Sequence, residues 1–281
     1  MKFKIIHDTS YQFTSKIFLE PHYLRLKPKY SPHQILQDFT LTISPKPVGL
    51  SLQVDEESNL IHFCWFDVLT DLLHIRSASI VGTEPYNPFN FITYPADFLT
   101  LPFSYSSTQK NILKADLDFD RVSPPLIDYG KRILADANFE TLTFIINLTR
   151  AIHSDFTIII REEGPPHRPD EAFELKEGSC RDLTWMQINL LRCMGVAARF
   201  VSGYFYLPDE VVAYELHAWL EVFLPGGGWI GFDPSHGVAT GYTHIPIASS
   251  SHYEHTMPVT GTIRGDADST LLTRVSIETI D

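Results

Sequence analysis

The sequence predicts an α+β protein, with an N-terminal antiparallel β domain and a core in which a cysteine-bearing helix packs on a second antiparallel sheet. Three observations point to this class. The first third is a series of short alternating apolar runs. The middle carries runs at helical spacing. Three strand-like runs with a glycine turn follow the last helix.

Each element follows from its residues. Phe3, Ile5 and His7 alternate with polar neighbours, and Tyr11 and Phe13 resume the pattern. QILQDFTLTIS (34–44), LSLQV (50–54), LIHFCWF (60–66) and LLHIRSASIV (72–81) come next, divided by turn signals, as in a sandwich or barrel. Residues 84–108 are rich in proline and aromatics. Proline forbids a regular helix and the rings need burial, so this stretch reads as a linker packed on the folded body. PPLIDYGKRILADA follows Ser123, an N-cap residue with proline behind it. ETLTFIINLTRAIHSDF (140–156) sets Leu142, Ile145, Ile146, Leu148 and Ile152 mostly on one helical face. A charged loop, REEGPPHRPDEAFELKEGS (161–179), leads to CRDLTWMQINLLRCMG (180–195), a helix that ends at Gly195. VAARFVSGYFYL, ELHAWLEVFL and GWIGFD read as strands, the last two joined by Gly226–Gly228, and LLTRVSIETI closes the chain as another. The expected division is 1–84 for the β domain, 85–123 for the packed linker and 124–281 for the core with its C-terminal strands.

Composition excludes several functions. The 281 residues are 44% hydrophobic and 20% charged, an ordinary folded balance. A net charge of -12 opposes nucleic-acid binding, which needs a basic face. The three cysteines, Cys64, Cys180 and Cys193, cannot all pair and form no CxxC, which argues against a disulfide scaffold or a structural zinc site. The N-terminus lacks the apolar centre of a signal peptide, and no apolar run reaches the ~20 residues of a membrane span. A cytoplasmic protein without membrane contact is the expectation. No glycine pattern follows a strand and opens a helix, so no nucleotide cofactor is expected.

The chemistry gathers at Cys180. Glycine and serine precede it and a helix starts at or just after it. Unpaired N–H groups and the positive end of the helix dipole there favour thiolate, the reactive form. His217 lies in one strand and Asp233 ends the next. If those strands pair as a hairpin, the carboxylate can accept the second ring N–H of the histidine and steady its charged form. Cys180 alone is as easily a buried structural thiol. Together with HAW and DP, the reading becomes nucleophile, base and orienting acid, with no metal.

GSCRD, HAW and GWIGFDPSHG resemble the transglutaminase core, which shares its triad with papain-like proteases. VAARFVSGY is similar to the strand after the cysteine helix. HIPIA (244–248) and MPVTGTIRG (257–265) are similar to the tail of bacterial transglutaminase-like proteins, and EPHYLRLKP (20–28) and LTISPKP (41–47) to their N-terminal domain. The resemblance covers nearly the whole chain. It implies a papain-like core, with Cys180 as nucleophile, His217 as its histidine and Asp233 as its aspartate. The partner it implies is a peptide or protein amide. Hydrolysis is favoured over amine transfer, with a peptide-binding module bearing a relic triad as the rival. Ser179 stands where a small apolar residue is usual, LTW where an aromatic and an Ala-His pair are, and His236 where asparagine is. These departures bear on substrate preference.

Other residues take blander readings. Cys193 is expected in the core, and Cys64 has no assigned role. Asp182 reads as a first-turn acid. Arg181 pairs with a substrate carboxylate or with a nearby acid, two readings the sequence does not rank. Trp219 is expected beside the triad, and Trp185 and Trp229 in the core. His236, His244, His252 and His255 read as surface or loop histidines, with nothing helical around the last two.

Overall fold

The computed structural model describes residues 1–161, 164–207 and 214–281. The chain opens with five strands, β1 (Lys2–Leu24), β2 (Gln34–Ser44), β3 (Gly49–Val54), β4 (Leu60–Trp65) and β5 (Leu69–Thr83). Helices α1 (Ser107–Ile112), α2 (Lys114–Leu117), α3 (Pro124–Asp136) and α4 (Thr141–Asp155) follow. Next come β6 (Thr157–Ile158), α5 (Pro169–Leu175), β7 (Glu177–Gly178) and α6 (Cys180–Cys193). The remainder is β8 (Ala198–Phe205), β9 (His217–Leu224), β10 (Gly228–Asp233), β11 (Val238–Ala239), β12 (His244–Ser250), β13 (Val259–Arg264) and β14 (Ser269–Thr279).

The first sheet is antiparallel in the order β2-β5-β1-β4-β3, and β13 and β14 also pair with β1. What the sequence suggests as separate early runs is one 23-residue strand. Its buried positions alternate through Phe3, Ile5, His7 and Thr9, as a half-buried strand requires. The imperfect alternation of β2 has a cause: its register against β5 shifts between Leu36 and Asp38. The sequence reading groups the last strands with the core. In the structure they complete the first sheet, with β14 running along β1 from Phe3↔Thr279 to Phe13↔Ser269.

The second sheet is β11-β10-β9-β8-β12, again antiparallel. Helix α6 packs against it, burying Leu183, Met186, Leu190 and Leu191 completely. The Thr184 hydroxyl donates to the Ala218 carbonyl at 3.3 Å and ties helix to sheet. The far end of α6 is fixed by Arg192, whose guanidinium donates to the carbonyls of Ala198, Asp118 and Ser251. Gly195 turns the chain out of the helix at φ 85°.

The segment from 84 to 108 packs on the body, as its composition suggests. It also forms a short 3-10 helix, Ala96–Leu99, and leads straight into α1. Phe98 and Tyr105 are buried, and the Tyr105 hydroxyl donates to the Phe223 carbonyl and accepts from the Ala197 N–H. Gly226, at φ 92°, allows the β9–β10 turn to sit on this segment, because a Cβ there would lie 2.0 Å from the Ile92 carbonyl oxygen. Ser123 does precede α3, but its side chain makes no cap bond. Its N–H donates instead to Asp170. The charged loop before α6 contains α5, while its residues 162–163 lie outside the described residues. Among the described residues, no helix is long and apolar enough to cross a membrane.

The two sheets meet through Phe3, Ile5, Val81, Val275 and Ile277 on one side and Tyr204, Ile245 and Ile247 on the other. Buried Asn59 spans them, giving Nδ2 to the Ser249 carbonyl and accepting the Ser249 N–H. His7 lies in the same interface, with Nδ1 3.1 Å from the Tyr204 hydroxyl and Nε2 3.3 Å from Thr9 Oγ1. Burial pushes the His7 imidazole down to about 4, and the nearby Asp8 charge only partly offsets this.

A histidine held neutral below its unfolded pKa stabilises the fold fully above about pH 6.5 and loses that contribution as pH falls towards 4. The loss amounts to about 3 kcal/mol at most. Urea midpoints measured across this range should therefore fall more steeply for the native chain than for His7→Gln. Parallel profiles would contradict a neutral buried His7.

Candidate active site

The site lies on one face of the second sheet, against the start of α6. Cys180 is the first residue of that helix and Ser179 its N-cap. The helix start is fixed by Asp182. Its buried carboxylate accepts the Ser179 N–H (2.8 Å) and hydroxyl (2.6 Å), the His167 N–H (2.7 Å) and two bonds from Arg161. Burial works against ionisation of Asp182, but the bonds from Arg161, Ser179 and His167 outweigh it and hold the carboxyl below its ordinary range. Asp182 is thus the first-turn acid that the sequence suggests, and it also joins the preceding loop to the helix. The Arg181 guanidinium donates to the Arg161 carbonyl at 2.6 Å.

Strand register brings the other groups together. His217 pairs with Gly203, and Phe205, two residues further on, pairs with His244. Side chains two apart share a face, so His217, Phe205 and His244 point the same way. Gly203 is required in this row: a Cβ would lie 2.3 Å from the Ile245 carbonyl and 2.5 Å from the Trp219 ring. Phe205 stacks on His244 with centroids 4.0 Å apart and on His217 at 5.5 Å, and meets His236 edge-on at 4.6 Å. Trp219 is buried beside this group, its ring 5.3 Å from His244.

Asp233, at the end of β10, is fully buried. Its Oδ2 lies 2.8 Å from His217 Nε2, 2.9 Å from His236 Nδ1 and 3.3 Å from His244 Nε2. Its Oδ1 accepts the Ser235 N–H and hydroxyl. Burial opposes this charge, yet the His217 charge and the bonds from three histidines hold the carboxyl well below the usual range. Burial likewise opposes charge on His217, but the Asp233 charge and hydrogen bond, followed by Cys180, raise its pKa. Since Nε2 is taken by Asp233, Nδ1 is the ring nitrogen left for the thiol. For His244 burial wins, and the pKa is lowered. Its Nδ1 lies 3.4 Å from the Gly241 N–H, which assigns the ring hydrogen to Nε2, facing the carboxylate.

The structure therefore brings Cys180, His217 and Asp233 together. It corrects the reading of one histidine. His236 is one-third exposed in the turn after β10, a loop histidine as expected, whereas His244 is buried in β12, and both bond the same carboxylate. The register of β12 against β8 decides this, and no local pattern announces it. His252 and His255 lie at a 3-10 turn, Tyr253–Thr256, which the sequence did not suggest. Cys64 is fully buried in β4, and Cys193 is half-buried at the end of α6. Trp185 is buried against Phe200 and Tyr253, and Trp229 packs on Phe223 beneath the Arg199 guanidinium.

Replacing Asp182 by alanine removes the acceptor of two Arg161 bonds and of three further donors. The expected cost is about 3 kcal/mol of stability, against a smaller loss for Asp182→Asn. Urea denaturation of both variants measures this, and equal losses would show that the charge itself contributes nothing.

The family model described as the Transglutaminase-like superfamily matches residues 129–234, and that of the bacterial transglutaminase-like N-terminal region matches residues 3–82. An uncharacterized protein of Mycobacterium tuberculosis is 24% identical, over 99% of this chain and 92% of its own length. A protein-glutamine gamma-glutamyltransferase of Pseudomonas aeruginosa is 30% identical over 103 residues, covering 33% of this chain and 15% of that one. A protein of Cytophaga hutchinsonii, solved as a candidate cysteine protease, shares the fold, with a TM-score of 0.72, 19% identity and coverage of 100% of this chain and 92% of that one. The chain belongs to the transglutaminase-like superfamily and joins its core to a bacterial transglutaminase-like N-terminal region.

Proposed function

We propose that the protein is a cysteine enzyme that cleaves an amide or peptide bond through an acyl-enzyme, with Cys180 as nucleophile, His217 as acid and base, and Asp233 as the group that orients His217. The observation that carries this reading is the 2.8 Å bond from His217 Nε2 to buried Asp233, on a ring whose pKa is raised by Asp233 and then by Cys180. A thiol facing such a ring gives up its proton to Nδ1, leaving thiolate beside imidazolium.

The step then balances. Cys180 Sγ attacks the amide carbonyl carbon, and charge develops on the carbonyl oxygen. The N–H of Cys180 opens the helix and has no carbonyl within it to accept it, which makes it an oxyanion donor. As the tetrahedral adduct collapses, the C–N bond breaks and His217 Nδ1–H protonates the departing amine. A thioester remains. Water then attacks it, giving its proton back to Nδ1, and the acid leaves as Cys180 is restored. An amine in place of water would give transfer. The substrate is a peptide or protein carrying the amide.

Glutamine-bearing and isopeptide-bearing peptides, incubated with and without a primary amine and read by mass spectrometry, test this proposal. Hydrolysis should outrun amine incorporation, and Cys180→Ser should reduce turnover by about 10³-fold or more. Amine adducts in excess would overturn the preference for hydrolysis. Turnover that survives Cys180→Ser would overturn the nucleophile.

A further inference from the structure

Three histidines on one carboxylate oxygen exceed what a cysteine nucleophile requires. One histidine orients and one acid suffices. His236 in particular has its own polar neighbour, with Ser235 Oγ 3.3 Å from Nδ1, and a partly exposed ring. Its Nδ1 is nevertheless turned inward to Asp233. Among the described residues, the donor atoms of His217, Asp233 and His236 lie within 4.8 Å of one another.

We propose that His217 Nε2, Asp233 Oδ2 and His236 Nδ1 form a binding site for a zinc-class divalent ion, and that the ion switches the thiol site off. Two imidazoles and a carboxylate are a donor set that suits this class of metal. Donors around a tetrahedral zinc ion stand about 3.3 Å apart, so each nitrogen, now 2.8 or 2.9 Å from Oδ2, withdraws by about half an ångström, while the two nitrogens, within 4.8 Å of each other, draw together around the ion. The supporting contacts are in place. Asp233 Oδ1 is held by the Ser235 N–H and hydroxyl, which anchors the carboxylate while Oδ2 exchanges its bonds from His217 and His236 for the ion. His244 keeps its 3.3 Å contact to the carboxylate, and water can complete the coordination. The exposed edge of His236 provides the way in.

The protons balance. The ion replaces the hydrogens now lying between each ring nitrogen and Oδ2. On His236 the hydrogen moves to Nε2. His217, when an imidazolium, loses its Nε2 proton to solvent and keeps the one on Nδ1. That N–H faces Cys180, which stays thiolate, and with Nε2 bonded to metal the Nδ1 proton is not given up to the departing amine, because that would leave a metal-bound imidazolate. The acid step is then blocked without any contact between ion and sulfur. Binding rests on donor geometry alone. The switch rests also on the reading of Cys180 and His217 given above.

Calorimetric titration of the full chain with zinc chloride tests the site, with cobalt(II) absorption as a second probe of tetrahedral coordination. One ion per chain is expected. Affinity should fall at least about tenfold in His236→Asn, as checked on folded protein by circular dichroism, and stay unchanged in Cys180→Ala. Zinc should also slow hydrolysis of the glutamine- and isopeptide-bearing peptides, reversibly with a chelator, while Cys180 still labels with iodoacetamide. No binding to the native chain, or unchanged binding by His236→Asn, would overturn the site. Binding lost in Cys180→Ala would place the ion on the thiol and overturn the donor set. Binding as expected with hydrolysis unaffected would overturn the switch and leave the site standing.

Discussion

The site is organised around one buried charge. Asp233 has no exposure, and an ionised carboxylate without water is costly unless its oxygens are fully met by donors. Here they are met by His217, His236 and His244 on Oδ2 and twice by Ser235 on Oδ1. Much of the local structure serves that requirement. β10 delivers the carboxylate, the turn after it returns Ser235 and His236, and β12 brings His244 from the far edge of the sheet. The charge in turn fixes the His217 ring in one orientation and favours its protonated form.

The same sheet has two other tasks. Through Leu183, Met186 and Leu190 it holds α6, so that the first residue of that helix reaches the histidine. Through Tyr204, Ile245 and Ile247 it rests on the first sheet. β13 and β14 leave the core and finish that first sheet, so the chain crosses between the two units twice. The N-terminal region therefore shares a sheet with residues that follow the site, and a cut near residue 84 would strip β13 and β14 of the strand they pair with.

Local patterns made much of this legible. Alternation in β5 and β8–β10, helical spacing in α4 and α6, and the glycine turn at 226–228 all appear where their residues place them. Cys180, His217 and Asp233 were readable because each sits at a defined point of an element: the start of a helix, the start of a strand and the end of the next. What was not legible depends on register between distant strands. His244 joins the site only because it pairs with Phe205, and an isolated HIPIA carries no sign of that. The pairing of β14 with β1, over more than 250 residues of separation, is likewise invisible to any local window. Arg161 was missed for a similar reason: its partner, Asp182, lies 21 residues away across a loop.

The central claim is that Cys180 and His217 form a thiolate–imidazolium pair held by Asp233. Iodoacetamide labelling followed by peptide mass spectrometry, at a series of pH values, tests it most directly on the native chain and on His217→Ala. Cys64 and Cys193 serve as internal controls, since burial raises both thiols, Cys64 to about 11. Rapid labelling of Cys180 alone at about pH 6, well below the free-thiol value of about 8.5, and its loss in His217→Ala, is the predicted result. Slow labelling of Cys180 at that pH, unchanged by the substitution, would contradict the pair and with it the proposed chemistry.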